Sequence, residues 1–335
     1  MTVLVTGGAG YIGSHIVAVL AKSGIRCVVL DNFVNSDPSV LERLARITGA
    51  PVEHVRADLR ERSVVVDTLR RFGVTDVIHM AGLKAVGESV GHPIEYYGCN
   101  IQGTISLLEA MQEVGVHRLV FSSSATVYGD PRYLPLDESH PTSATNPYGR
   151  SKLHIEEMLH DVARSSESWH IVCLRYFNPV GAHPSALIGE DPAGIPNNLM
   201  PFVAQVAAGL RPELQVFGND YPTADGTGVR DFIHVMDLAE GHQAALQALP
   251  NRPGWEAVNL GTGVGYSVLD MVKAFEQASG VAIPYRVVAR RSGDIAACYA
   301  DPALARQRFG WHARRGLEDM CHSTWAWQKM RRSMV

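Results

Sequence analysis

A tyrosine and a lysine at helical spacing could supply a base for proton transfer. The segment Tyr148-Gly-Arg-Ser-Lys152 places the two side chains four residues apart. On a helix they would share one face, so the ammonium group could stabilise the phenolate and lower a pKa that is normally about 10. Ser124 ends a predicted strand earlier in the chain, where its hydroxyl could share a substrate oxygen with Tyr148. Together they predict proton transfer near neutral pH, although a serine-rich strand end alone is typical of a loop start.

The amino-terminal segment predicts a dinucleotide site. A predicted strand over residues 2–6 leads into Gly7, Gly10 and Gly13, in a G-x-x-G-x-x-G pattern, and a helix follows. Glycine permits a tight turn and a close pyrophosphate approach, and the helix start offers free N–H groups. Asp31 ends the second predicted strand, at the distance where a carboxylate accepts the ribose hydroxyls. Its charge would repel a ribose 2′-phosphate, so the pattern favours NAD over NADP.

The order of elements that carries these residues is strand then helix, repeated. After residue 177 the chain changes in composition, with predicted loops rich in Gly, Pro, Asn and Asp, notably over 189–201 and 218–228. We predict an α/β fold with a Rossmann-type doubly wound parallel sheet over residues 1–176. We also predict a smaller C-terminal α/β domain over 177–335, with short segments returning to the first sheet. The predicted strands of the sheet span residues 2–6, 27–30, 52–55, 77–79, 119–122 and 171–176.

The composition limits the classes of partner. The chain has 335 residues and a net charge of −4, with acidic and basic residues interspersed and no basic block. We therefore predict a small-molecule partner, with no nucleic acid and no membrane contact. The five cysteines lack a Cys-x-x-Cys pair and the histidines lack metal-ligand spacing, which argues against disulfides and predicts no metal. Without a recognisable leader or membrane-spanning run, we expect a cytoplasmic protein.

Two further strand ends could contribute to the dinucleotide site. Asp58 follows the third predicted strand, where it could meet the adenine edge or equally cap the next helix. Met80, Ala81, Gly82 and Lys84 follow the fourth, and ligands of open α/β sheets gather at these carboxyl ends. Lys84 alone is also typical of a surface lysine.

These motifs resemble those of the extended short-chain dehydrogenase/reductase superfamily, through the glycine pattern, the strand-end Ser124 and Tyr-x-x-x-Lys. Within it, the chain is similar to the UDP-hexose 4-epimerases over residues 4–15, 79–89, 121–129, 174–184, 189–201, 217–237 and 290–301. The resemblance implies reversible inversion at C4 of a UDP-hexose, UDP-glucose or UDP-galactose, through a 4-keto sugar. NAD would be reduced and reoxidised within one turnover. Tyr148 would be the base, Lys152 would hold the cofactor ribose and Ser124 would guide the proton.

The resemblance also implies the binding residues. Those implied for NAD are Gly7, Gly10, Tyr11, Ile12, Gly13, Asp31, Asn32, Asn35, Ser36, Asp58, Leu59, Met80, Ala81, Gly82, Lys84 and Phe177. Those implied for the UDP-sugar are Ser124, Thr126, Tyr148, Asn178, Asn198, Leu199, Gln215, Phe217, Arg230, Arg291, Asp294 and Cys298. Arginine suits phosphate because its planar fork carries several fixed donors. Taken singly, Asn178 could be a turn residue before proline and Arg230 a surface ion-pair partner.

Competing functions are a nucleotide-sugar dehydratase or dehydrogenase and an NAD-binding regulatory module. The similar dehydratases carry an Asp-Glu pair where this chain has Ala125 and Thr126. Without that acid, elimination of water lacks its general acid/base. A regulatory module would be marked by loss of Tyr148, Lys152 or Arg230, and all three are present.

Two cysteines depart from the pattern of the bacterial epimerases. Cys99 stands where an Asn often contacts the cofactor, so that hydrogen bond is in doubt. Cys298 stands where many have a tyrosine that walls the sugar pocket. The space released predicts that UDP-GlcNAc and UDP-GalNAc are substrates too. The alternative is a neutral size change compensated by the neighbouring Tyr299.

The resemblance further implies a homodimer, formed by pairing two helices of each subunit. We predict these helices over residues 94–111 and 148–159. The first carries an apolar stripe of Ile94, Tyr97, Ile101, Ile105, Leu108 and Met111. Such a stripe is equally expected of a helix that covers its own sheet.

Overall fold

The structure is a computed structural model that describes residues 1–191, 196, 198–291 and 293–332. Its strands are β1 (Thr2–Thr6), β2 (Arg26–Asp31), β3 (Glu53–Arg56), β4 (Asp76–His79), β5 (Arg118–Ser122), β6 (His170–Tyr176), β7 (Asn178–Val180), β8 (Leu214–Phe217), β9 (Val229–His234), β10 (Gly254–Leu260), β11 (Gly265–Ser267), β12 (Tyr285–Val288) and β13 (Ala297–Cys298). Its α-helices are α1 (Tyr11–Lys22), α2 (Ser39–Thr48), α3 (Arg62–Phe72), α4 (Val86–Gly91), α5 (Pro93–Tyr97), α6 (Gly103–Val114), α7 (Pro147–Ser165), α8 (Leu199–Ala207), α9 (Val235–Ala248), α10 (Val268–Ser279), α11 (Ala303–Phe309) and α12 (Leu317–Arg332).

Seven parallel strands form the main sheet, in the order β10-β6-β5-β4-β1-β2-β3. This order confirms the predicted doubly wound fold, and the six predicted strands agree with β1 to β6 to within one residue at each end. Strand β10 comes from the second half of the chain and pairs with β6 along its whole length. The carboxyl ends of β1, β2, β4 and β5 therefore share one edge, where the predicted site residues follow.

Helices cover both faces of this sheet, which explains why its central strands β1, β2, β4 and β5 are mainly apolar and buried. Val3 and Val5 of β1 pack into a core that contains residues of α1 and α9. Leu4, between them, packs with residues of α3, α6 and α7 on the opposite face. Since successive side chains of a strand point to opposite faces, one short apolar strand supplies both cores.

The second half of the chain builds two smaller sheets. Strands β7, β9, β11 and β13 form one, and β8 pairs with β12 in the other. Helices α8, α10 and α12 pack on them around a third core. The predicted loop over 189–201 is wrong at its end, because α8 begins at Leu199. Pro201 fits the first turn of that helix, where a missing N–H costs little. Residues 192–195 and 197 of that loop lie outside the described part of the chain.

The helix predicted over 94–111 is interrupted. It consists of α5, a π-helical turn at Gly98–Gln102, and α6. Its apolar stripe has two parts: Leu108 and Met111 are buried against the sheet, whereas Ile94 and Ile105 are exposed, Ile94 by 86%. The second predicted helix is α7, which extends further than expected. Within the described ranges, no helix is both long and apolar enough to cross a bilayer.

Candidate active site

The glycine turn between β1 and α1 is fixed by close backbone contacts. Gly7 has a φ of +66°, and a Cβ there would lie 2.8 Å from the backbone N of Ala81. A Cβ on Gly13 would lie 2.3 Å from the carbonyl oxygen of Gly7. Gly10 is the N-cap of α1 and no described side chain caps this helix, so N–H groups of its first turn stay available to an anion. The turn thus fits a dinucleotide pyrophosphate. Tyr11 begins α1 and donates its hydroxyl to the carbonyl of Gly181 at 2.7 Å.

Asp31 lies buried at the carboxyl end of β2, next to this turn. Its carboxylate accepts the N–H of Ala9 at 3.0 Å, the N–H of Phe33 at 2.8 Å and the hydroxyl of Ser36 at 3.2 Å. A carboxylate has about four acceptor positions, so Asp31 keeps capacity for a ribose hydroxyl. The predicted neighbours Ile12 and Asn32 are half-buried, and Asn35 is exposed.

Asp58 is an ion-pair residue, which corrects one of the two predictions for it. Both its carboxylate oxygens accept from Arg60 at 2.8 Å, and Oδ2 also accepts from Asn32. The N-cap of α3 is Glu61, so the capping alternative is wrong. The Arg60 guanidinium holds the pKa of Asp58 well below its usual range. Leu59 beside it is buried in the core under the sheet.

The segment after β4 is held against the glycine turn. Thr6 accepts the N–H of Ala81 at 3.2 Å through its hydroxyl, and its carbonyl accepts the N–H of Met80 at 3.1 Å. Gly82 has a φ of +156°, and a Cβ there would lie 2.8 Å from the side-chain oxygen of Asn100. Lys84 is exposed and its Nζ lies 3.6 Å from the carboxylate of Glu190.

Tyr148 and Lys152 are both buried on one face of α7, as their spacing predicts. The helix starts at Pro147, and the side chain of Asn146 caps it by accepting the N–H of Gly149 at 2.9 Å. Lys152 donates from Nζ to the carbonyl of Ser122 at 2.9 Å. Its ammonium group also lies 4.8 Å from the ring centroid of Phe121.

Ser124 connects Tyr148 to the end of β5. It hydrogen-bonds the Tyr148 hydroxyl and caps a 3-10 turn at Ala125–Val127. Its own hydroxyl accepts from the N–H of Thr126 at 3.2 Å and from the Thr126 hydroxyl at 3.0 Å. The predicted Tyr148, Lys152 and Ser124 therefore converge at the carboxyl edge of the main sheet.

Burial governs the titration of this group. It raises the pKa of Tyr148, and the hydrogen bond with Ser124 acts in the opposite direction. The prediction that the pKa of Tyr148 is lowered is therefore wrong in this structure, because the effect of burial outweighs that of the hydrogen bond with Ser124. Burial also lowers the pKa of Lys152 to about 8. Lys152 therefore keeps its charge at neutral pH and loses it as the pH rises past that value.

A second group of predicted residues meets around Asp294. Its carboxylate lies 3.0 Å from Nε of Arg291 and 3.9 Å from Nη2 of Arg230. Arg291 also lies over the ring of Phe217, 4.6 Å from the centroid. Cys298, which is buried, pairs with Arg230 in the register of β13 and β9. The structure thus assembles two arginines, an aromatic ring and a small side chain from three separate segments.

The remaining predicted substrate residues are more dispersed. Asn198 is the exposed N-cap of α8, and its amide donates to the Glu190 carboxylate at 2.5 Å. Glu190 therefore contacts both Asn198 and Lys84, which come from opposite halves of the chain. Leu199 is half-buried, and Asn178 and Gln215 are exposed on β7 and β8. Phe177 is buried in one cluster with Cys298.

Two functional candidates escaped the sequence analysis. Glu156, one turn beyond Lys152 on α7, and Arg175 of β6 form an ion pair at 2.6 Å, with side chains 2% and 6% exposed. A signal was available, since Glu156 continues the four-residue spacing of Tyr148 and Lys152. The sequence alone did not reveal it, because a buried carboxylate is recognised only together with its partner, and Arg175 lies on a strand 19 residues further along the chain.

The doubly wound sheet carries a glycine turn at a helix start and a buried Tyr-x-x-x-Lys pair beside a strand-end serine. These features define the class of dinucleotide-binding proteins with a Rossmann-type fold. Residues 3–261 match the NAD dependent epimerase/dehydratase family, and the chain belongs to it. This confirms the superfamily that the sequence indicated.

Within that family, the chain is similar to UDP-glucose 4-epimerases. It is 58% identical to the Homo sapiens UDP-glucose 4-epimerase, over 98% of this chain and 96% of that protein. It superimposes with a TM-score of 0.98 and 53% identity on the Stenotrophomonas maltophila UDP-glucose-4-epimerase with bound NAD and formylated UDP-arabinopyranose, covering all of both chains. The Bifidobacterium longum UDP-glucose 4-epimerase in complex with NAD+ and UDP gives 0.96 and 51%, again with full coverage.

Proposed function

We propose that this chain is an NAD-dependent UDP-hexose 4-epimerase that interconverts UDP-glucose and UDP-galactose. The observation that carries the proposal is the buried Tyr148, hydrogen-bonded to Ser124, with Lys152 anchored one turn away on Ser122. The similarity to UDP-glucose 4-epimerases over nearly the whole chain supports it. The glycine turn and Asp31 fit NAD, the cofactor that the family and the solved relatives share.

The chain's own residues account for the proton transfers. When bound, NAD supplies a hydride acceptor that later returns the same hydride to the sugar. Tyr148 removes the proton from the sugar 4-hydroxyl, and Ser124 hydrogen-bonds the same oxygen. Because burial raises the pKa of Tyr148, the phenolate needs a nearby cation, and Lys152 is the buried cation on the same helix face. After the 4-keto sugar turns over, Tyr148 returns the proton and the configuration at C4 is inverted.

We assign nucleotide binding to the group around Asp294. Arg230 and Arg291 are only partly neutralised by this one carboxylate, so they keep positive charge for a pyrophosphate. The ring of Phe217 beside Arg291 offers an apolar surface for a base. Asn198 and Lys84, joined through Glu190, place the substrate half of the chain next to the cofactor half.

The two competing functions are less well supported. A dehydratase would need a carboxylic acid next to Ser124, and the turn at Ala125–Val127 has none. A regulatory module would not require the buried contacts of Tyr148 and Lys152, which cost desolvation.

The function is tested by incubating the purified protein with UDP-galactose deuterated at C4, with no NAD added. We expect UDP-glucose to form with deuterium retained at C4, since one hydride leaves and returns within the same site. A released keto product, NADH in solution or deuterium lost to the medium would contradict the proposal.

We further propose that the enzyme accepts UDP-GlcNAc and UDP-GalNAc. Cys298 is small, buried and adjacent in register to Arg230, which places it next to the group that we assign to the nucleotide. Replacing it by tyrosine adds a ring to a packed cluster that contains Val127, Tyr128 and Phe177.

The Cys298→Tyr variant is expected to lose about 5- to 150-fold in kcat/KM for UDP-GlcNAc, because an overpacked wall costs about 1–3 kcal/mol. Its kcat/KM for UDP-glucose should stay within about threefold, since the smaller sugar leaves that space free. Both values come from coupled assays on wild type and variant. Equal and negligible UDP-GlcNAc turnover in both proteins would refute the proposal.

We also propose a homodimer that buries the exposed apolar residues of α4 to α6. Ile94, Val90 and Val86 are exposed by 86%, 66% and 43%, and Ile105 on α6 by 41%. Large apolar side chains exposed on successive helices are typical of association sites. Light scattering is expected to give twice the mass of one chain for wild type, and a lower mass for Ile94→Lys at the same micromolar concentration. A monomeric wild type would contradict this assembly.

The proposed location is the cytoplasm. All five cysteines are free in the structure, and four of them are buried. Reduced thiols are usual in a reducing compartment.

A further inference from the structure

The three serines at the end of β5 each contact one of three residues on α7 that are spaced four apart. The carbonyl of Ser122 accepts from Lys152 at 2.9 Å, and Ser124 hydrogen-bonds the hydroxyl of Tyr148. Ser123, between them, donates its hydroxyl to Oε1 of Glu156 at 2.5 Å. Since these bonds follow one face of the helix, they fix its position along the strand end.

Glu156 anchors this set of contacts to the rest of the fold. Both its oxygens accept from Nε of Arg175 at 3.1 Å, and Oε2 accepts from Nη2 at 2.6 Å. Arg175 also donates from Nη1 to the Tyr128 hydroxyl at 3.2 Å, and Tyr128 donates to the side-chain oxygen of Asn259 at 2.7 Å. The network therefore ties α7 to β6, to the turn after β5 and to β10.

We infer that Glu156, held by Arg175 and Ser123, is a positioning residue that sets α7 against the end of β5 and thereby places Tyr148 and Lys152 for proton transfer. This inference rests on the proposed function. Glu156 lies one helical turn beyond Lys152 and two beyond Tyr148, so it does not reach the reacting atoms. Its buried carboxylate has hydrogen bonds on both oxygens, and a shift of α7 would break them together.

Glu156 also acts on Lys152 through charge. Among the described residues, the titratable groups that interact electrostatically with Lys152 are Cys99 in the π-helical turn, Glu156 on α7, Cys173 on β6 and His79 on β4. Glu156 is the carboxylate in this set, and it raises the pKa of Lys152 against the lowering by burial. Removing its charge lowers that pKa further, so Lys152 would lose its proton at a lower pH.

The test compares Glu156→Gln and Ser123→Ala with wild type, using UDP-galactose across a range of pH. The matched control is Glu157→Gln, which removes the neighbouring carboxylate on the same helix, where the side chain is 65% exposed. The measurements are kcat, KM, the alkaline limb of kcat and the amount of NAD released from the denatured protein. NAD content separates a loss of cofactor from a loss of chemistry.

For Glu156→Gln we expect kcat to fall by about 10- to 100-fold, because a misplacement of about 1 Å can cost a hundredfold. KM and NAD content should stay within about twofold of wild type, since the binding groups are untouched, and the alkaline limb should move to lower pH. Ser123→Ala should lower kcat about three- to tenfold with the alkaline limb unchanged, because it removes a hydrogen bond and no charge. Glu157→Gln should match wild type.

Wild-type kcat and an unmoved alkaline limb in Glu156→Gln would overturn the inference, as would a loss of kcat that only follows a loss of NAD. Removing one partner of a buried ion pair can prevent folding. In that event Ser123→Ala decides: reduced kcat with full NAD content supports the inference, and unchanged kcat overturns it. If wild type itself does not convert UDP-galactose, the proposed function fails and this inference fails with it. Active wild type with unaffected variants refutes the inference alone.

Discussion

Replacing Tyr148 by phenylalanine is expected to lower kcat for C4 inversion by about 10²- to 10⁴-fold, the range that a positioned general base contributes. The change removes one oxygen and keeps the buried ring, so the packing of α7 is preserved. Ser124 and Lys152 lose none of their contacts with the backbone and with Thr126. Binding of nucleotide should therefore stay close to that of wild type.

The measurement is kcat and KM for UDP-galactose, with UDP affinity from calorimetry and NAD content from the denatured protein. Tyr133→Phe is the matched control, because Tyr133 is 43% exposed and its hydroxyl bonds only Asp137 and Ser139 among the described residues. A Tyr148→Phe enzyme that keeps kcat within about threefold would show that another group removes the proton.

The main sheet could be predicted because its strands carry their own signal. The central strands β1, β2, β4 and β5 are short, mainly apolar runs buried on both faces, and Val3, Leu4 and Val5 illustrate how one such run serves two cores. The second half gave no comparable signal. Strand β7 has three residues and β13 has two, and both pair with the distant β9. Such strands exist because of long-range pairing, so no local pattern marks them.

The site could be predicted where spacing along the chain determines it. Gly7 and Gly13 have to be glycine because backbone atoms occupy the place of a side chain. Asp58 was ambiguous because its residue type alone allows it to cap a helix. The sequence does not show that its carboxylate is bound by Arg60 instead. The pKa of Tyr148 was mispredicted because the sequence gives the distance to Lys152 along a helix but not the burial, which has the larger effect.

The second prediction with a large effect concerns Gly13. An alanine there places its Cβ 2.3 Å from the carbonyl oxygen of Gly7 and 2.8 Å from Cα of Gly8. Both neighbours are backbone atoms of the turn, so relief requires the turn itself to move. We expect Gly13→Ala to lose most of its bound NAD and with it the activity, and to lose about 1–3 kcal/mol of stability, the usual cost of overpacking.

The NAD released on denaturation and the midpoint of urea unfolding measure the two effects separately. Gly98→Ala is the matched control, because Gly98 has helical φ and ψ of −62° and −42° and a Cβ there meets nothing within 4 Å. It should keep its NAD and its stability, since alanine is the better helix former. If Gly13→Ala retains NAD as well as Gly98→Ala does, the pyrophosphate does not depend on this turn, and the cofactor site proposed here is misplaced.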